Sequence, residues 1–403
     1  MDYYLMNKEH KVVKMDAEIA YTKDSQFPHL EVRSAEILDK LRCPPSLLGE
    51  CVNDISGELE RWMEKRLISQ RRKSIKSFPT IRWDRGNSNF FSMSDQYWLH
   101  AANAMGESWE KLNYFKAPYS NIVGQACASF NMKEMRSLMF PKNSPDLCTN
   151  GIQDKMWKRI EGKNYLLKWS NNADGQAILS EVLASDVLKE INIVPFVEYK
   201  LTIENYRLCS CCENFVNENE EFVPAWHLYR AFENLFPDKV NGEKEIYKVL
   251  MMAVKHFKIP NVEEFIDKMI IADRTIMNFD RHLGNFGFIR NVETGEYVGP
   301  APLFDFGNAF FPDRAETKKE RYIFSERMKY LLDDPRLEEC LKKTKDISKN
   351  KLLAIPDFEV LQETIVRNVN LNRKELELDI AANKKRKKER EKRRSEMAIS
   401  VTI

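Results

Sequence analysis

The spacing of apolar and polar residues predicts strands in the first half of this chain and helices in the second. Residues 164–169 alternate, so that Tyr165, Leu167 and Trp169 share one face of a strand while Leu166 and Lys168 share the other. Further strands are predicted at residues 196–201 and 206–211, followed by a hinge near 204–216. Helical spacing is found over residues 176–191, 225–235, 243–257, 261–276, 323–333 and 358–382. A small β-rich region followed by a helical region indicates an α+β fold.

Residues 1–120 are predicted to form a separate unit. Residues 3–6 and 12–15 have the pattern of a hairpin, residues 54–68 that of a helix, and residues 95–100 are expected to open another helix. The unit contains no set of residues that suggests catalysis.

A cluster of basic residues within this unit is predicted to be a solvated surface patch, and contact with nucleic acid or phosphate is the alternative. It consists of Arg71, Arg72, Lys73 and Lys76.

The helix predicted at 176–191 has a carboxylate on or beside its apolar stripe, which contains Ala184, Val187 and Leu188. Because an unpaired buried charge costs several kcal/mol, Glu181 is expected to have a cationic partner. Lys168 on the preceding strand is the candidate. A strand lysine paired with a helix glutamate holds the ATP phosphates in protein kinases, whereas the alternative is an ordinary surface lysine and glutamate.

The chemistry of the chain is concentrated in residues 278–307. Asp280 is followed five residues later by Asn285, and Asp305 precedes Phe306 and Gly307. This set supplies one base for a hydroxyl nucleophile and two oxygen ligands for Mg²⁺, as phosphoryl transfer from ATP requires. The alternative is that these residues only cap and turn the backbone.

The residues between these motifs predict how the ligands meet. Residues 286–289 are predicted to be a strand and residues 303–304 the returning strand of a hairpin. Such a hairpin would place Asn285 and Asp305 together at its open end. Asp273 and Arg274, just upstream, are expected to form a structural ion pair.

Charge is distributed unevenly along the 403 residues, whose net charge is +2. Residues 384–394 contain nine basic and two acidic side chains, a charge of +7, and the remainder therefore sums to −5. The basic tail is predicted to be a solvated helix end or a disordered extension, with nucleic-acid binding as the alternative.

The sequence favours a cytoplasmic protein. No apolar run approaches the ~20 residues needed to span a bilayer, and the first residues lack the features of a signal peptide. The eight cysteines are scattered, which suits a reducing compartment. Cys209, Cys211 and Cys212 lack the spacing of a zinc site and are predicted to be buried free thiols.

Over residues 140–330 the chain resembles the HipA-like kinases, a bacterial branch of the protein-kinase-like fold. The segment from Asn278 through Asp280 to Asn285 resembles the catalytic loop of that family, and Asp305-Phe306-Gly307 resembles its magnesium-binding segment. Residues 150–155 are similar to the phosphate loop of the family, which has the pattern Gly-hydrophobic-Gln-x-Lys.

The resemblance implies a bilobal fold with a catalytic cleft between the lobes. We expect an N-terminal accessory α/β unit (1–120), a kinase-like N-lobe (121–204), a helical C-lobe (205–375) and a basic tail (376–403). The expected reaction transfers the γ-phosphoryl group of ATP, with Mg²⁺, to a Ser or Thr hydroxyl of a protein substrate.

The resemblance also assigns roles to single residues. Asp280 is the expected base, with Asn285 and Asp305 as catalytic residues and Mg²⁺ ligands. Contact with ATP is expected from Lys168, Glu181, Thr149, Asn150, Gly151, Ile152, Gln153 and Lys155. Supporting positions are Asn278, Arg281, His282, Phe306 and Gly307, and for His282 a structural role is favoured over a catalytic one.

Some features depart from the family. The loop serine that some members autophosphorylate corresponds to about Cys148 here, although Ser144 and Thr149 are close. Residues 1–120 do not obviously match the N-terminal subdomain of the toxins, and a paired antitoxin cannot be inferred. The alternatives are a small-molecule or lipid kinase on the same fold, and a kinase-fold regulatory or nucleic-acid-binding protein without turnover.

Overall fold

The computed structural model describes residues 1–21, 28–48, 54–69, 71–72, 74, 89–128, 143–170, 175–241, 243, 245–311, 322–345 and 359–401. Side chains are described over these ranges except at 19–21, 28–29 and from 395 onward. Among the described residues the fold is mixed α/β, with three antiparallel sheets.

The first sheet contains the N-terminal strands in the order β3-β2-β1-β4: β1 (Asp2–Asn7), β2 (His10–Tyr21), β3 (Pro28–Ile37) and β4 (Tyr97–Ala101). Helix α1 (Ile55–Glu64) packs on it through Leu59 and Trp62. The predicted hairpin and the first predicted helix are therefore confirmed.

The helix expected at residues 95–100 is wrong, because this segment is strand β4. Its residues Tyr97, Trp98 and Leu99 are all buried and pair with β1. A run of three large apolar side chains, two of them aromatic, favours a strand that is covered on both faces.

The second sheet has the order β5-β6-β8-β7 and contains β5 (Lys155–Ile160), β6 (Lys163–Lys168), β7 (Lys200–Glu204) and β8 (Arg207–Glu213). Short helices α2 (Trp109–Leu112) and α3 (Ile122–Ala128) precede it, and α4 (Gln176–Ile191) follows β6 with the predicted bounds. The alternation in β6 is confirmed, since Leu167 and Trp169 enter a core cluster while Lys168 faces a cavity.

The third sheet, β11-β10-β9, holds the predicted catalytic-loop segment against the helical part of the chain. Its strands are β9 (Glu220–Pro224), β10 (Gly287–Asn291) and β11 (Tyr297–Pro300). Residues 303–304 are thus not the returning strand of the hairpin. Leu303 instead makes a parallel bridge with Phe196. The strand expected over residues 196–201 begins only at Lys200, as β7.

The helical part contains the largest core cluster, which includes Ile266, Ile270 and Phe288. Its helices are α5 (Ala225–Leu235), α6 (Pro237–Asn241), α7 (Ile246–His256), α8 (Val262–Ile276), α9 (Ser325–Tyr330), α10 (Pro335–Thr344) and α11 (Glu359–Val401). Five of them confirm predicted helices, α5 with the predicted bounds and α7, α8, α9 and α11 with shifted ends. Helices α6 and α10 were not predicted.

The last helix, α11, has 43 residues and carries the basic residues 384–394, which are exposed. Lys384 pairs with Glu338 at 2.5 Å and Lys387 with Asp333 at 3.6 Å, so the start of the basic segment is tied to the helical part. In the described part of the chain, no helix combines the length and the apolarity that crossing a bilayer requires.

The cysteine prediction can be compared directly with the structure. Cys209 and Cys212 are buried free thiols, and burial raises the pKa of each to about 12. Cys211, expected to be buried, is partly exposed.

Candidate active site

A cavity of about 780 Å³ lies between the second sheet, the catalytic-loop segment and the N-terminal region. Most of the residues predicted from sequence line it. These are Thr149, Asn150, Gly151, Ile152, Gln153, Lys155, Lys168, Asp280, His282, Asn285, Asp305 and Gly307. The other predicted residues, Glu181, Asn278, Arg281 and Phe306, lie behind this wall and are buried.

The predicted pair of Lys168 and Glu181 is present and buried. Lys168 Nζ lies 2.5 Å from Glu181 Oε1 and 3.4 Å from Asp305 Oδ1. Burial alone would lower the pKa of Lys168, but the carboxylates of Asp305 and Glu181 outweigh it and hold that pKa well above its ordinary value. Glu181 also accepts a hydrogen bond from Ser210 Oγ at 2.5 Å, so both of its oxygens are engaged.

Asp305 is held in a strained conformation at the edge of the cavity, with φ of +63°. Non-glycine residues rarely adopt this conformation, and it persists where surrounding contacts fix it. Burial opposes ionisation of Asp305, yet Lys168, Lys155 and Arg281 prevail and lower its pKa to about 2. Its backbone N–H donates to the hydroxyl of Tyr199 at 3.2 Å. The carboxylate is therefore ionised and partly exposed to the cavity, as a cation ligand requires.

Arg281 connects the segments that carry Asn285 and Asp305. Its Nη1 donates to the carbonyl oxygens of Asn285 and Phe304, each at 2.7 Å. The rest of its guanidinium binds Asp273 through two hydrogen bonds of 2.9 and 3.0 Å. The meeting of Asn285 and Asp305 that was expected from a hairpin is thus achieved by a buried arginine.

Asp273 is the centre of this network. It also accepts hydrogen bonds from Asn278 Nδ2 and from the Tyr322 hydroxyl, both at 3.1 Å. The expected ion pair of Asp273 with Arg274 is wrong, since Arg274 Nη2 lies 3.5 Å from Glu375 on α11. Adjacent residues of a helix point about 100° apart, and the two side chains reach opposite partners.

Asp280 and His282 occupy the loop between these anchors. Asn308 Nδ2 donates to Asp280 Oδ2 at 2.7 Å, which fixes the orientation of this carboxylate. His282 Nδ1 accepts from the Gly284 N–H at 3.1 Å, and its carbonyl accepts from the Asn285 N–H at 2.9 Å. These bonds support the structural role favoured for His282.

The predicted phosphate loop is held from behind by Arg72. Its Nε donates to the Gly151 carbonyl at 2.9 Å, and its Nη2 donates to the Thr149 carbonyl. Arg72 is fully buried, so its assignment to a solvated patch is wrong. Arg71 is exposed, and Lys73 and Lys76 lie outside the described residues.

Some polar groups of this loop already have hydrogen-bond partners within the protein. The Gly151 N–H donates to Asn150 Oδ1 at 2.6 Å, and the Thr149 hydroxyl donates to the Pro145 carbonyl at 2.8 Å. Ser144 and Cys148 are buried. Gly151 has φ of +102°, a conformation that favours glycine. A Cβ there would lie 2.5 Å from Lys155 Nζ, so any other residue would also displace the lysine side chain.

Two donors in the cavity face space that a ligand could fill. Lys155 Nζ has its pKa lowered to about 7, first by burial and then by the nearby cations Arg72 and Lys168. Gln153 Nε2 is buried without a hydrogen-bond partner among the described residues. Buried donors of this kind need an acceptor, and phosphate oxygens supply one.

Sequence reasoning missed four residues that shape this site. Tyr199 stands between Lys168 and Asp305, and its ring meets Phe306 edge-on at 6.0 Å. Arg72, Ser210 and Asn308 act by the bonds described above. A signal existed for Asn308, because it directly follows the Asp-Phe-Gly motif, whereas the others come from separate elements.

The chain is similar to a serine/threonine-protein kinase and to HipA. No protein-family model matches the chain. It is 30% identical over 135 residues to the serine/threonine-protein kinase CtkA of Helicobacter pylori, and the match covers 33% of this chain. The chain thus spans 40% of the length of that relative. The crystal structure of the H. pylori proinflammatory kinase CtkA covers 58% of this chain and 91% of its own, with a TM-score of 0.43 and 19% identity.

HipA from Shewanella oneidensis MR-1, solved with HipB and operator DNA, covers 91% of this chain and 96% of its own, with a TM-score of 0.52 and 11% identity. The predicted resemblance to HipA-like kinases is therefore confirmed. Because the match covers 91% of the chain, it must include part of residues 1–120. The similarity in fold therefore extends into a region where none was obvious from the sequence.

Proposed function

Because the chain is similar to HipA-like kinases, we propose that it transfers the γ-phosphoryl group of ATP to a Ser or Thr hydroxyl of a protein. Kinase-type chemistry is supported by the relative at 30% identity. The division into an accessory unit, two lobes and a basic tail, with the boundaries predicted from sequence, is part of the same proposal.

The observation that carries the proposal is the convergence of three charged side chains. Lys168 lies within 2.5 Å of Glu181 and 3.4 Å of Asp305, and it faces the cavity that Asp280 and Asn285 also line. A structural ion pair would need one carboxylate. A lysine shared by two carboxylates leaves negative charge in excess, and one of these carboxylates is partly exposed, which suits a site that binds a metal cation.

The residues present fit ATP and Mg²⁺. Gln153 Nε2 and Lys155 Nζ offer donors to phosphate oxygens, and Asp305 and Asn285 offer the oxygen ligands that Mg²⁺ takes. When bound, Mg²⁺ neutralises charge on the transferred group and on the leaving phosphate. Apolar side chains beside Glu213 and Asn214, namely Leu166, Val197, Phe215 and Phe304, form the part of the cavity suited to a base.

The remaining chemistry belongs to Asp280. Its carboxylate, oriented by Asn308, positions the acceptor hydroxyl and takes its proton as the bond to the γ-phosphorus forms and the bond from that phosphorus to the leaving ADP breaks. Arg281 keeps the loop that carries Asp280 in register with the segment before Asp305. Catalysis then depends on positioning and charge more than on covalent chemistry by the protein.

The test supplies the purified full chain with labelled ATP, Mg²⁺ and a generic acceptor protein or a cell lysate. We expect labelled protein with the wild type and loss of label in Asp280→Ala and Asp305→Ala. Glu198→Ala, which removes an exposed carboxylate outside the cavity, serves as the matched control and should keep activity. Absence of ATP binding in a thermal-shift assay would refute the proposal. Label on small molecules or lipids alone would show that the acceptor is one of these and not a protein.

A separate proposal concerns nucleic acid. The exposed basic residues 384–394 support salt-dependent contact with phosphates, of low sequence preference. Deletion of 384–403 is expected to abolish such binding and to leave ATP turnover intact. Lost turnover would show that the end of α11 supports the fold.

A further inference from the structure

The cavity continues past the nucleotide residues, between the N-terminal region and the start of α5. This extension is lined by Trp62, Lys65 and Arg66, at the end of α1, and by Trp226 and His227, in the first turn of α5. We call these five residues the basic chamber. The mechanism described above uses none of them.

The basic chamber adjoins the catalytic loop. The Trp226 N–H donates to the Leu283 carbonyl and the Ala225 N–H to the Phe286 carbonyl, each at 3.0 Å. The first turn of α5 is therefore fixed on the loop that carries Asp280. A group held in the chamber would lie on the acceptor side of the site, beyond the hydroxyl that Asp280 faces.

Lys65 is the chamber cation without an ion pair among the described residues. Its Nζ lies 3.6 Å from the centroid of the Trp226 ring. Arg66, in contrast, pairs with Asp95. Arg66 Nε is buried and has no partner in the described part of the chain, and 9% of its side chain is exposed. One cation and one buried N–H thus remain for a ligand.

The imidazole of His227 lies among cations. Burial, and then the cations Lys65, Arg66 and Arg290, hold the pKa of His227 well below its ordinary value. Arg290 is itself paired with Glu221, so the surplus charge comes from Lys65. A neutral imidazole next to an ammonium can donate to a carboxylate while Lys65 balances its charge.

We propose that the basic chamber binds an acidic side chain of the protein acceptor, close in sequence to the Ser or Thr that is phosphorylated. Lys65 is the specificity-determining residue, and Trp226 and His227 form the wall against which the acidic group rests. The inference rests on the proposed kinase function and specifies its substrate class. The chamber and Asp280 line one cavity of about 780 Å³, so an acceptor segment at Asp280 lies in the same cavity as Lys65.

The competing explanation is that Lys65 and Trp226 merely hold the two regions together, as cation–π contacts do. The chain offers a matched control for it. Arg230 Nη2 on α5 pairs with Glu58 Oε1 on α1 at 2.8 Å and joins the same two helices away from the cavity. Arg230→Gln removes one interface cation outside the cavity and leaves all five chamber residues in place.

The experiment compares peptides that contain one Ser and differ in the flanking residues, which are Glu, Gln, Lys or phosphoserine. With MgATP and the full chain, we expect kcat/KM about tenfold higher for the Glu peptide than for the Gln peptide, the size of one charge-assisted contact. Lys65→Met should abolish this preference, and Lys65→Glu should reverse it toward the Lys peptide. Arg230→Gln should retain it, and the KM for ATP should stay unchanged throughout.

Equal rates for the Glu and Gln peptides, or a preference that survives Lys65→Glu, would overturn the proposal. A phosphoserine peptide that far exceeds the Glu peptide would identify a phosphate site in place of a carboxylate site. If ATP is bound but no peptide is phosphorylated, peptide binding to the MgADP-loaded protein is measured through tryptophan fluorescence. Tighter binding of the Glu peptide that Lys65→Glu abolishes supports the chamber, and equal binding overturns it. Failure to bind ATP instead counts against the kinase function alone.

Discussion

Arg281 holds Asp273 through two parallel hydrogen bonds, and neither side chain has any exposed surface. The same guanidinium reaches the backbone of the two segments that carry Asn285 and Asp305, through the carbonyls of Asn285 and Phe304. A lysine could supply the charge but not the planar fork that makes four hydrogen bonds at once. The loop that carries Asp280 therefore depends on a single residue that does not line the cavity.

Replacement of Arg281 by Met is expected to lower the free energy of unfolding by about 3–5 kcal/mol, because Asp273 stays buried without its counter-charge. Arg281→Lys should fall between this variant and the wild type. Arg327→Met is the control, since Arg327 makes a similar two-bond pair with Asp267 on the same helix but is 25% exposed. Urea unfolding of the three variants measures the difference, and equal losses at Arg281 and Arg327 would contradict the role assigned to burial.

Replacement of Glu181 by Gln is expected to reduce phosphoryl transfer at least tenfold. Of the two carboxylates that contact Lys168, only Asp305 would then remain, and Lys168 would be drawn toward this carboxylate, which is proposed to bind the metal. Ser210→Ala removes the other bond to Glu181 but leaves the ion pair, so its effect should be several times smaller. Steady-state kinetics at saturating ATP separate the two, and a larger loss in Ser210→Ala would contradict this account.

Replacement of Arg72 by Met is expected to raise the KM for ATP by about tenfold, the effect of losing about 1.4 kcal/mol of loop positioning. Arg72 binds the carbonyls of Thr149 and Gly151 from behind and does not line the cavity. Its exposed neighbour supplies the control, because Arg71→Met makes the same chemical change one residue away. Equal KM values for both variants would show that the loop is positioned without Arg72.

Lys155 predicts a pH dependence of nucleotide binding. Its pKa is lowered to about 7 in the free protein, and bound phosphates would raise it, so binding takes up a proton above pH 7. Affinity for a non-hydrolysable ATP analogue should therefore fall more steeply between pH 7 and 9 in the wild type than in Lys155→Met. Isothermal titration calorimetry at several pH values measures both slopes, and parallel slopes would contradict the prediction.

The same residue affects stability with a defined sign. The unfolded chain has the ordinary lysine pKa of 10.5, so between pH 7 and 10.5 it binds more protons at Lys155 than the folded protein does. The destabilisation caused by Lys155 is thus full below pH 7 and fades as the pH rises to 10.5. Lys155→Met should accordingly stabilise the protein more at pH 7 than at pH 9, as measured by urea unfolding.

The parts of the site that could be predicted from sequence are those whose partners lie in one motif or in adjacent elements. Glu181 on an apolar helix face required a cation, and Lys168 was the lysine of the preceding strand, now seen at 2.5 Å. The motif with Asp280, Asn285 and Asp305 was visible because its spacing follows from metal and hydroxyl chemistry.

The parts that were missed depend on long-range contacts. Arg72 looked like surface because its neighbours in sequence are basic, and its true partners lie 77 and 79 residues away. The strand at residues 97–101 was taken for a helix because its partner β1 lies at the start of the chain. In both cases tertiary packing overrode a local pattern, and a single sequence gives no measure of that packing.

The bond from Arg72 to Gly151 has a thermodynamic consequence for the whole N-terminal region. If that region favours the nucleotide-ready form of the loop, reciprocity requires that a bound nucleotide favour, by the same free energy, the position of the region in which Arg72 is bonded to Gly151. Nucleotide binding in the cleft should then slow amide hydrogen exchange in α1 and β4. A sheet without catalytic residues would in this way report whether the cleft is filled.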